Sequence, residues 1–513
     1  RYVPVWIERT PFDWRDAILY NVFTDRFLDG DPGNDDRLEG VPFPSNNQGG
    51  DFSGVTRKIR EGYFEDLGVN AIWLSPVIEN IDHAEYGDDG RLYAPYHGYW
   101  PSAPRTVESR FGGEEALRDL IEAAHDRGIR ILFDLTANHV HSEHVYNRLH
   151  PEWINPFDWC GDGDSWNTNP IGCWFMDYLP DLDYRHPDAL HTLVEDALFW
   201  IETFDIDGFR IDAVKHMEPV FEEHLRARIR EEIETDQVQF YLVGETFVGD
   251  WDWSGTSNQT VIREHVSEAR LTGQFDFPLY WDIVRTFARD ERNIPDLEAV
   301  LSQTEDYYGA QAIMSNFLGN QDVPRFISHA AGDISDVWGN GAKEQGWSDP
   351  PQAPTWHEPY QRLELAFTFL MTIEGVPLLY YGDEIGLPGA GDPDNRRMMN
   401  WEDPGAFGRE TLAHLQALGQ IRRAHKALSR GSRIPLLTSD EDVWVYARTM
   451  LTDKLVVALN RSGVERTVTV DLSGTGIPDG RTLTDELSGK RITVTGNRVT
   501  ITLAPWQGAI FAL

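Results

Sequence analysis

The feature of this chain that most constrains its fold is a repeated alternation of short apolar runs with helical patterns. Leu117, Leu120, Ile121 and Ala124 recur at helical spacing, and Gly128 offers a C-cap before the next apolar run. Such repeats are typical of parallel strands joined by helical crossovers. About eight of them predict an α/β fold with a closed (β/α)8 TIM barrel, and an open doubly wound sheet is the alternative. The candidate strands are 18–23, 71–75, 130–135, 208–212, 240–245, 274–279, 312–318 and 376–381.

Two segments depart from this alternation. Residues 140–184 are rich in Trp, Asp, Asn and Pro, and a loop-rich insertion of this length after the third barrel strand is usually functional. From residue 431 the period changes to two, which predicts an antiparallel β-sandwich with a hairpin around Gly496 and Asn497. The predicted domains are therefore a barrel at 1–139 and 185–430, an insertion at 140–184 and a C-terminal β-sandwich at 431–513.

Composition and charge restrict the kind of partner. Asp and Glu number 84 against 45 Lys and Arg, a formal net charge of −39, and such a surface repels nucleic acid and anionic membranes. The charge is equally compatible with a salty or extracellular medium and with solubility alone. No apolar run approaches the roughly 20 residues that span a bilayer. We expect a soluble monomer that acts on a neutral substrate and is secreted or periplasmic in a bacterium, and Arg1 suggests a processed N-terminus.

The chain contains two cysteines, Cys160 and Cys173, which lie close together in the predicted insertion. Their proximity favours a disulfide that closes this loop, and a disulfide would imply an oxidising compartment. Two unpaired thiols are the alternative. Metal ligation is less favoured because the spacing is not that of a zinc site.

Acidic residues stand at the C-terminal ends of several predicted strands, where barrel enzymes place their active sites. Asp212, Glu245 and Asp322 follow three different strands, a pattern that structural carboxylates alone do not explain well. Because the fourth and fifth strands are neighbours, Asp212 and Glu245 could lie roughly 5 to 5.5 Å apart, as retaining glycosidases require. Arg210 precedes Asp212 by two residues, so it lies on the same side of the strand and would keep Asp212 ionised. Glu245 would need a drier environment to remain protonated.

These segments resemble the conserved regions of the α-amylase superfamily of glycoside hydrolases, and the resemblance covers nearly the whole chain. The matching motifs are 96–100, 134–139, 179–183, 208–216, 244–247 and 320–322. The resemblance implies Asp212 as nucleophile, Glu245 as general acid/base and Asp322 as stabiliser of the transition state. It also implies that the substrate is bound by His97, Tyr99, Trp100, His139, Arg210, Lys215, His216, Gln321, Asp392 and Arg396.

Some motif residues bear on specificity. Lys215 and His216 resemble those of α-1,4-acting amylases, maltogenic amylases and cyclodextrin glucanotransferases, and 392–396 resembles a donor-side loop of these enzymes. The glucanotransferases carry extra C-terminal domains that this chain lacks. We therefore predict endo-type hydrolysis of α-1,4 bonds in starch and maltodextrins. A 4-α-glucanotransferase, maltogenic or cyclodextrin-acting enzyme is the alternative, and a non-catalytic carbohydrate-binding relative is a third. Gln321 departs from the usual His; Gln can donate a hydrogen bond but cannot titrate.

Oxygen-rich segments point to calcium. Asp29, Asp31, Asn34 and Asp35 surround turn-forming Gly and Pro, and such hard-oxygen clusters favour Ca²⁺; an acidic turn is the alternative. The resemblance adds a second calcium at the boundary between the barrel and the insertion. The first site would comprise Asp29, Asp31, Asn34, Asp35, Gly49 and Asp51, and the second Asn138, Asp181 and the carbonyl of His216.

Overall fold

A closed barrel of parallel strands forms the centre of the computed structural model, which describes residues 4–8, 10–161, 163, 165–249 and 258–513. Sequential strands pair in parallel around the sheet, and the last strand returns to the first through Leu19 and Leu378. A parallel bridge between Phe275 and Ser315 completes the ring, so the predicted (β/α)8 barrel is confirmed and an open sheet is excluded. The strands are β1 Leu19–Val22, β2 Ala71–Leu74, β3 Arg130–Leu135, β4 Gly208–Ile211, β5 Tyr241–Gly244, β6 Gly273–Gln274, β7 Ser315–Phe317 and β8 Val376–Tyr380.

Helices surround the barrel because their apolar faces pack on it. The helix Gly113–His125 buries Leu117, Leu120, Ile121 and Ala124, as the spacing predicts. Across the described residues, no helix is both long and apolar enough to cross a membrane. The remaining α-helices include Thr24–Phe27, Phe52–Glu61, Tyr63–Asp66, Pro187–Phe204, Pro219–Glu232, Asn258–Glu264, Phe277–Ile283, Ile294–Tyr308, Phe326–Ala330, Ala342–Ser348, Glu358–Leu370, Gly405–Ala424 and Lys426–Arg430.

The connection between β3 and β4 contains the segment predicted as the insertion. Its helices are the short Val145–Leu149, Pro151–Trp153 and Ser165–Thr168. Cys160 and Cys173 form a disulfide, which confirms the predicted pairing and excludes free thiols. A second long connection, between β2 and β3, contains the two-stranded hairpin Glu85–Tyr86 and Leu92–Tyr93.

The C-terminal region is antiparallel, which confirms the predicted change to a period of two. One sheet has the order β9-β10-β11-β16-β13-β14, and β12 pairs with β15 in a second sheet. These strands are β9 Ser432–Leu437, β10 Val443–Met450, β11 Asp453–Asn460, β12 Arg466–Asp471, β13 Thr482–Asp485, β14 Arg491–Thr493, β15 Arg498–Leu503 and β16 Gln507–Ala512.

The predicted hairpin around Gly496 and Asn497 is only partly correct. Both residues have positive φ, 61° and 59°, and Thr495 bridges Arg498 across the turn. Beyond that bridge the strands separate, since β14 pairs with β13 whereas β15 pairs with β12. The chain crosses between the two sheets at this turn, so that the apolar side chains on both sides of it enter one core.

Candidate active site

Strand register brings the predicted acids together at the C-terminal end of the barrel. Ile211 of β4 is the register partner of Gly244 of β5, so Asp212 and Glu245 follow at equivalent positions. Ala213 adopts a left-handed conformation with φ 49°, and Val214 N–H donates to the Glu245 carbonyl at 2.8 Å. This conformation costs about 1 kcal/mol or more for a residue with a side chain. The strained turn at Ala213 therefore connects the backbone that follows Asp212 to the backbone of Glu245.

A fully buried arginine holds three of the acids. Arg210 Nη1 donates to Asp134 Oδ1 at 2.9 Å and to Asp212 Oδ1 at 2.5 Å. Its Nη2 lies 2.7 Å from Glu245 Oε2. One guanidinium group thus fixes carboxyl groups from β3, β4 and β5 in a common arrangement, with the charge-assisted contacts that arginine makes best.

Asp134 belongs to the motif 134–139, but it was not among the predicted site residues. It is the register partner of Arg210 and also accepts hydrogen bonds from Trp73 Nε1 at 3.1 Å and Tyr99 Oη at 2.9 Å. An acid inside the apolar run of β3 was the available signal, because carboxylates are rarely buried without partners. Asp134 orients both the arginine and the tyrosine and acts through them.

The fourth acid, Asp322, lies in the loop after β7 and has its own donors. Gln321 Nε2 donates to Asp322 Oδ2 at 2.8 Å, and Arg396 Nη2 donates to Oδ1 at 3.2 Å. Arg396 Nε also donates to the Gln321 carbonyl at 2.9 Å. The Gln321 side chain therefore orients Asp322, and its own Oε1 is buried with no hydrogen-bond partner among the described residues.

Burial has the largest effect on the pKa values of Glu245, Asp134 and Asp322. It raises the pKa of Glu245 well above the usual range, against the opposing charge of Arg210 and with the help of nearby Asp322. Burial also raises the pKa of Asp134 to about 7 and that of Asp322 above its ordinary value, where Arg396 opposes it. The direction of this shift favours the protonated form of Glu245, which is the state a general acid requires.

A cavity of about 390 Å³ opens directly over the acids. Trp166 and Phe175 from the predicted insertion and Phe247 after β5 form aromatic walls that sequence reasoning did not assign. The predicted residues at this central cavity are Tyr99, Trp100, His139, Asp212, His216, Glu245, Gln321, Asp322 and Arg396.

Two further cavities continue from the central one. A cavity of about 620 Å³ shares Trp166 and Phe247 with it and includes Lys215. On the other side a cavity of about 280 Å³ shares Tyr99, Trp100, Phe175 and Arg396, and includes His97 and Asp392. The three form one extended cleft of the kind that accommodates a chain of sugar units.

The structure distributes the ten predicted substrate-binding residues unevenly. Nine line one of the three cavities. Arg210 lies beneath the acids and contacts their carboxyl groups, which makes it a positioning residue. His97 is also constrained, since its Nδ1 accepts the Tyr99 N–H at 3.0 Å. His139 Nε2 lies 2.9 Å from the Tyr99 carbonyl.

The residues of the first predicted calcium site converge. Asp51 caps the helix Phe52–Glu61 by accepting the Gly54 N–H at 2.6 Å. Asp29 Oδ1 and Asn34 Oδ1 are buried and have no hydrogen-bond partner among the described residues. Burial raises the pKa of Asp29, and the neighbouring acids Asp35, Asp51 and Asp31 raise it further. Repelling carboxylates and unsatisfied oxygens are a donor set that fits Ca²⁺.

The second predicted site is more deeply buried. Asp181 accepts hydrogen bonds from Asn138 Nδ2 and Asn155 Nδ2, each at 2.7 Å. Asn138 Nδ2 also lies 2.9 Å from the His216 carbonyl. Burial raises the pKa of Asp181 well above its usual range, and Glu218 adds to the effect. The Asp181 carboxylate and the His216 carbonyl supply oxygen ligands of the kind that Ca²⁺ prefers. Asn138 and Asn155 direct their amide nitrogens toward these oxygens and would have to turn over to offer oxygen ligands of their own. Asn155 was not foreseen.

The fold and the site together define a (β/α)8-barrel protein with the acid cluster and open cleft of carbohydrate-active enzymes. The model of the α-amylase catalytic domain matches residues 21–430. The chain therefore belongs to the α-amylase family, whose members commonly bind calcium.

Relatives of this chain include both amylases and cyclomaltodextrin-acting enzymes. A β/α-amylase from Paenibacillus polymyxa is 28% identical over 97% of this chain, which spans only 38% of that relative's length. A cyclomaltodextrinase from Geobacillus thermopakistaniensis is 25% identical, with 98% of this chain and 78% of the relative covered.

Solved structures show the same mixture. An α-amylase from Geobacillus thermoleovorans, complexed with acarbose, matches with a TM-score of 0.79, 27% identity and coverage of 98% of this chain and 99% of that one. CldA, described as the first cyclomaltodextrin glucanotransferase with a three-domain ABC distribution, matches with a TM-score of 0.78, 26% identity and coverage of 97% and 99%. Glucanotransferases therefore do not all carry extra C-terminal domains, contrary to our expectation from the sequence, and the presence or absence of such domains does not separate hydrolysis from transfer.

Proposed function

We propose that this protein hydrolyses internal α-1,4-glucosidic bonds in starch and maltooligosaccharides with retention of configuration. The observation that supports this best is the single guanidinium of Arg210, which holds the Asp212 and Glu245 carboxyl groups side by side. Such closeness favours the short carboxyl separation of retaining glycosidases over the wider separation that leaves room for a water in inverting ones.

The two carboxyl groups divide the chemistry between them. Asp212, oriented by the hydrogen bond from Arg210, attacks the anomeric carbon while the glycosidic C–O bond breaks, and the Glu245 proton moves to the departing oxygen. A covalent glycosyl-enzyme on Asp212 results. The Glu245 carboxylate then takes a proton from water, the water oxygen attacks the anomeric carbon, and Asp212 is released.

Neighbouring residues prepare the attacked ring for this reaction. Tyr99 stacks on the sugar, since its hydroxyl is held by Asp134 and its ring lines the central cavity. Asp322, aligned by Gln321 and Arg396, accepts hydrogen bonds from ring hydroxyls and binds them more tightly as the ring flattens. Because Gln321 is neutral at every pH, it keeps this orientation without titrating.

Transfer of the glycosyl group to a second sugar is the alternative. Related proteins include a cyclomaltodextrinase and a cyclomaltodextrin glucanotransferase, and the cavity of about 620 Å³, which shares Trp166 and Phe247 with the central one, has room for an acceptor sugar. A carbohydrate-binding protein without activity is less favoured, since all three acids are present and converge.

Initial products from reducing-end-labelled maltoheptaose test the proposed hydrolysis. We expect shorter oligosaccharides only, with a parallel gain in reducing sugar. Products longer than the substrate, or cyclic products, would contradict hydrolysis and favour transfer. Absence of any cleavage would contradict both reactions and leave sugar binding alone.

We also propose that two calcium ions stabilise the fold. The first would be held by the acidic turn around Asp29 and Asp51, and the second by Asn138, Asp181 and the His216 carbonyl, at the base of the predicted insertion. A cation there would neutralise buried carboxylates and connect the insertion to the segment that follows Asp212. The disulfide is compatible with an extracellular location, and we propose a secreted or periplasmic monomer whose partner is an α-glucan.

The calcium proposal predicts a change in thermal stability. Calcium at 100 times its Kd should stabilise the wild type by about 2.7 kcal/mol relative to chelated protein. Asp181→Asn should lose most of the part that comes from the second site, as measured by the melting temperature with calcium and with a chelator. Asp177→Asn, an exposed acid of the same segment, is the matched control and should respond like the wild type. Equal calcium responses in both variants would contradict the assignment.

A further inference from the structure

The two ends of the cleft can be told apart by the position of Glu245. Its proton goes to the leaving oxygen, so the leaving half of the substrate lies on the Glu245 side. Phe247 follows Glu245 by two residues and lines the cavity of about 620 Å³. The opposite cavity of about 280 Å³, which includes Asp392 and Arg396, therefore receives the donor half of the chain that becomes attached to Asp212.

Part of the donor cavity's lining comes from two elements that are distant in sequence. Asp88, in the turn of the hairpin Glu85–Tyr86 and Leu92–Tyr93, forms an ion pair with Lys343 of the helix Ala342–Ser348. Arg91 of the same turn pairs with Glu344 at 2.6 Å. Gly87, Asp88, Tyr93 and Lys343 all line the donor cavity. The hairpin and the helix, joined by these ion pairs, thus contribute to one part of the donor cavity's lining.

Aromatic rings support both ion pairs. Lys343 Nζ lies 5.4 Å from the Tyr93 ring centre, and the Arg91 guanidinium lies 5.0 Å from that of Trp347. The Tyr93 and Trp347 rings meet edge to face, with centres 6.2 Å apart. These cation–π and ring contacts restrict the charged side chains more than an isolated surface pair would.

The same two elements are anchored to the rest of the cleft. Gly391 N–H donates to the Ala342 carbonyl at 3.0 Å, so the helix adjoins the loop that carries Asp392 and Arg396. On the hairpin side, Tyr178 Oη donates to the Tyr86 carbonyl at 3.2 Å. The ion pairs therefore connect a hairpin and a helix that are each hydrogen-bonded to other segments of the cleft.

We propose that Asp88, Arg91, Lys343 and Glu344, here called the end wall, narrow the donor side of the cleft and bias the length of the segment transferred to Asp212. This inference rests on the proposed cleavage of internal bonds in α-glucans. Asp88 and Lys343 line the donor cavity, so a short oligosaccharide that places few glucosyl units beyond the one attacked avoids contact with the wall. The enzyme consequently prefers, among the internal bonds of a short oligosaccharide, those near the non-reducing end, whereas a longer chain passes the wall at a cost in binding.

Removal of the wall side chains tests this assignment. In reducing-end-labelled maltoheptaose, a short donor segment leaves a long labelled fragment. Asp88→Ala with Lys343→Ala should open the cavity and lengthen the donor segment. The initial ratio of short to long labelled fragments should then rise about threefold or more, a shift within the range of surface ion-pair energies. Glu114→Ala with Arg118→Ala removes a comparably exposed pair on the helix Gly113–His125 and is the matched control.

The salt dependence of the ratio of short to long labelled fragments is a second measurement, made on the wild-type protein. The wall residues are partly exposed, and at 1 M salt the screening length falls to about 3 Å, so the ion pairs weaken. The wild-type fragment ratio should shift in the direction of the double variant, whereas the double variant should respond less. A folded double variant, verified by its melting temperature, with the wild-type fragment pattern would overturn the end wall. If the double variant does not fold, an unchanged wild-type pattern at 1 M salt would overturn it. Failure of the wild type to cleave maltoheptaose would instead contradict the proposed function.

Discussion

Asp212→Asn should lower kcat/KM on maltoheptaose by roughly 10⁴-fold or more, the scale found when a nucleophile is removed from a cooperating set of catalytic groups. An amide cannot form the glycosyl-enzyme, but it can still accept the hydrogen bond that Arg210 Nη1 now makes at 2.5 Å. The fold should therefore survive, and the melting temperature should change little. The measurement is the rate of labelled-fragment release over a range of substrate concentrations.

Asp207→Asn is the matched control, since Asp207 precedes the same strand at its other end. Its carboxylate accepts from Trp6 Nε1 at 2.9 Å and from the Ile131 N–H at 2.8 Å, far along the strand from the cleft. This variant should lose stability and keep its turnover. Activity of Asp212→Asn within tenfold of the wild type would contradict the role of Asp212 as nucleophile.

In Glu245→Gln the covalent glycosyl-enzyme intermediate on Asp212 should be directly detectable. With a glycosyl fluoride the leaving group needs no proton, so Asp212 can still be glycosylated. Removal of the intermediate needs the Glu245 carboxylate as base, so the adduct should accumulate in this variant. Peptide mapping by mass spectrometry should place the added sugar on Asp212, and a sugar on any other residue would refute the assignment.

Arg210→Met should destabilise the fold by about 3–5 kcal/mol, because removing one partner from a buried charge cluster leaves the others uncompensated. Asp134, Asp212 and Glu245 would face one another without the guanidinium. Chemical denaturation at pH 5 and pH 8 measures the loss, and activity should fall with it because the acids lose their common support.

The loss of unfolding free energy caused by Arg210→Met should be larger at pH 8 than at pH 5. Burial already raises the pKa of Asp134 to about 7, above its value in the unfolded chain. An acid with a raised folded pKa favours the folded state at low pH, and this contribution disappears as the pH rises through the folded pKa. Without Arg210 the carboxyl pKa values rise further, so more of them must release protons between pH 5 and pH 8, at a cost to stability.

Arg422→Met separates this effect from the loss of any buried arginine. Arg422 is also buried, but its guanidinium donates to the carbonyls of Met371 at 2.8 Å, Ile373 at 3.0 Å and Gly375 at 2.6 Å. Its replacement should destabilise the fold about equally at pH 5 and pH 8, since no carboxylate is left unpaired. Equal pH dependence in the two variants would show that the acids around Arg210 do not depend on its charge.

The sequence was sufficient to predict the elements that depend on local pattern. Alternating apolar runs predicted seven of the barrel strands close to their observed bounds, because each strand is buried on both faces and each helix on one. The sixth was predicted at 274–279 and is wrong over most of that range, since β6 spans only Gly273–Gln274 and a helix begins at Phe277, where Asp276 caps it by accepting the Leu279 N–H. The acids after β4, β5 and β7 could be predicted to lie together, because all barrel strands end on the same face of the barrel and continue there into loops. The Cys160–Cys173 disulfide was also foreseen, since the chain contains only these two cysteines and they lie close together in sequence.

Contacts between distant segments were decided by the tertiary structure alone. Lys343 and Asp88 are 255 residues apart, and no local pattern in the sequence relates the two elements that carry them. Asp134 could be noticed as an acid in an apolar strand, but its contacts with Arg210 and Tyr99 required the register of β3 and β4. The turn at Gly496 was predicted correctly while its strand pairing was not, because a turn is local and the choice of sheet depends on which core the side chains enter. The sequence thus determined the barrel and the acids at its rim, and the packing of distant loops determined the boundaries of the cleft between them.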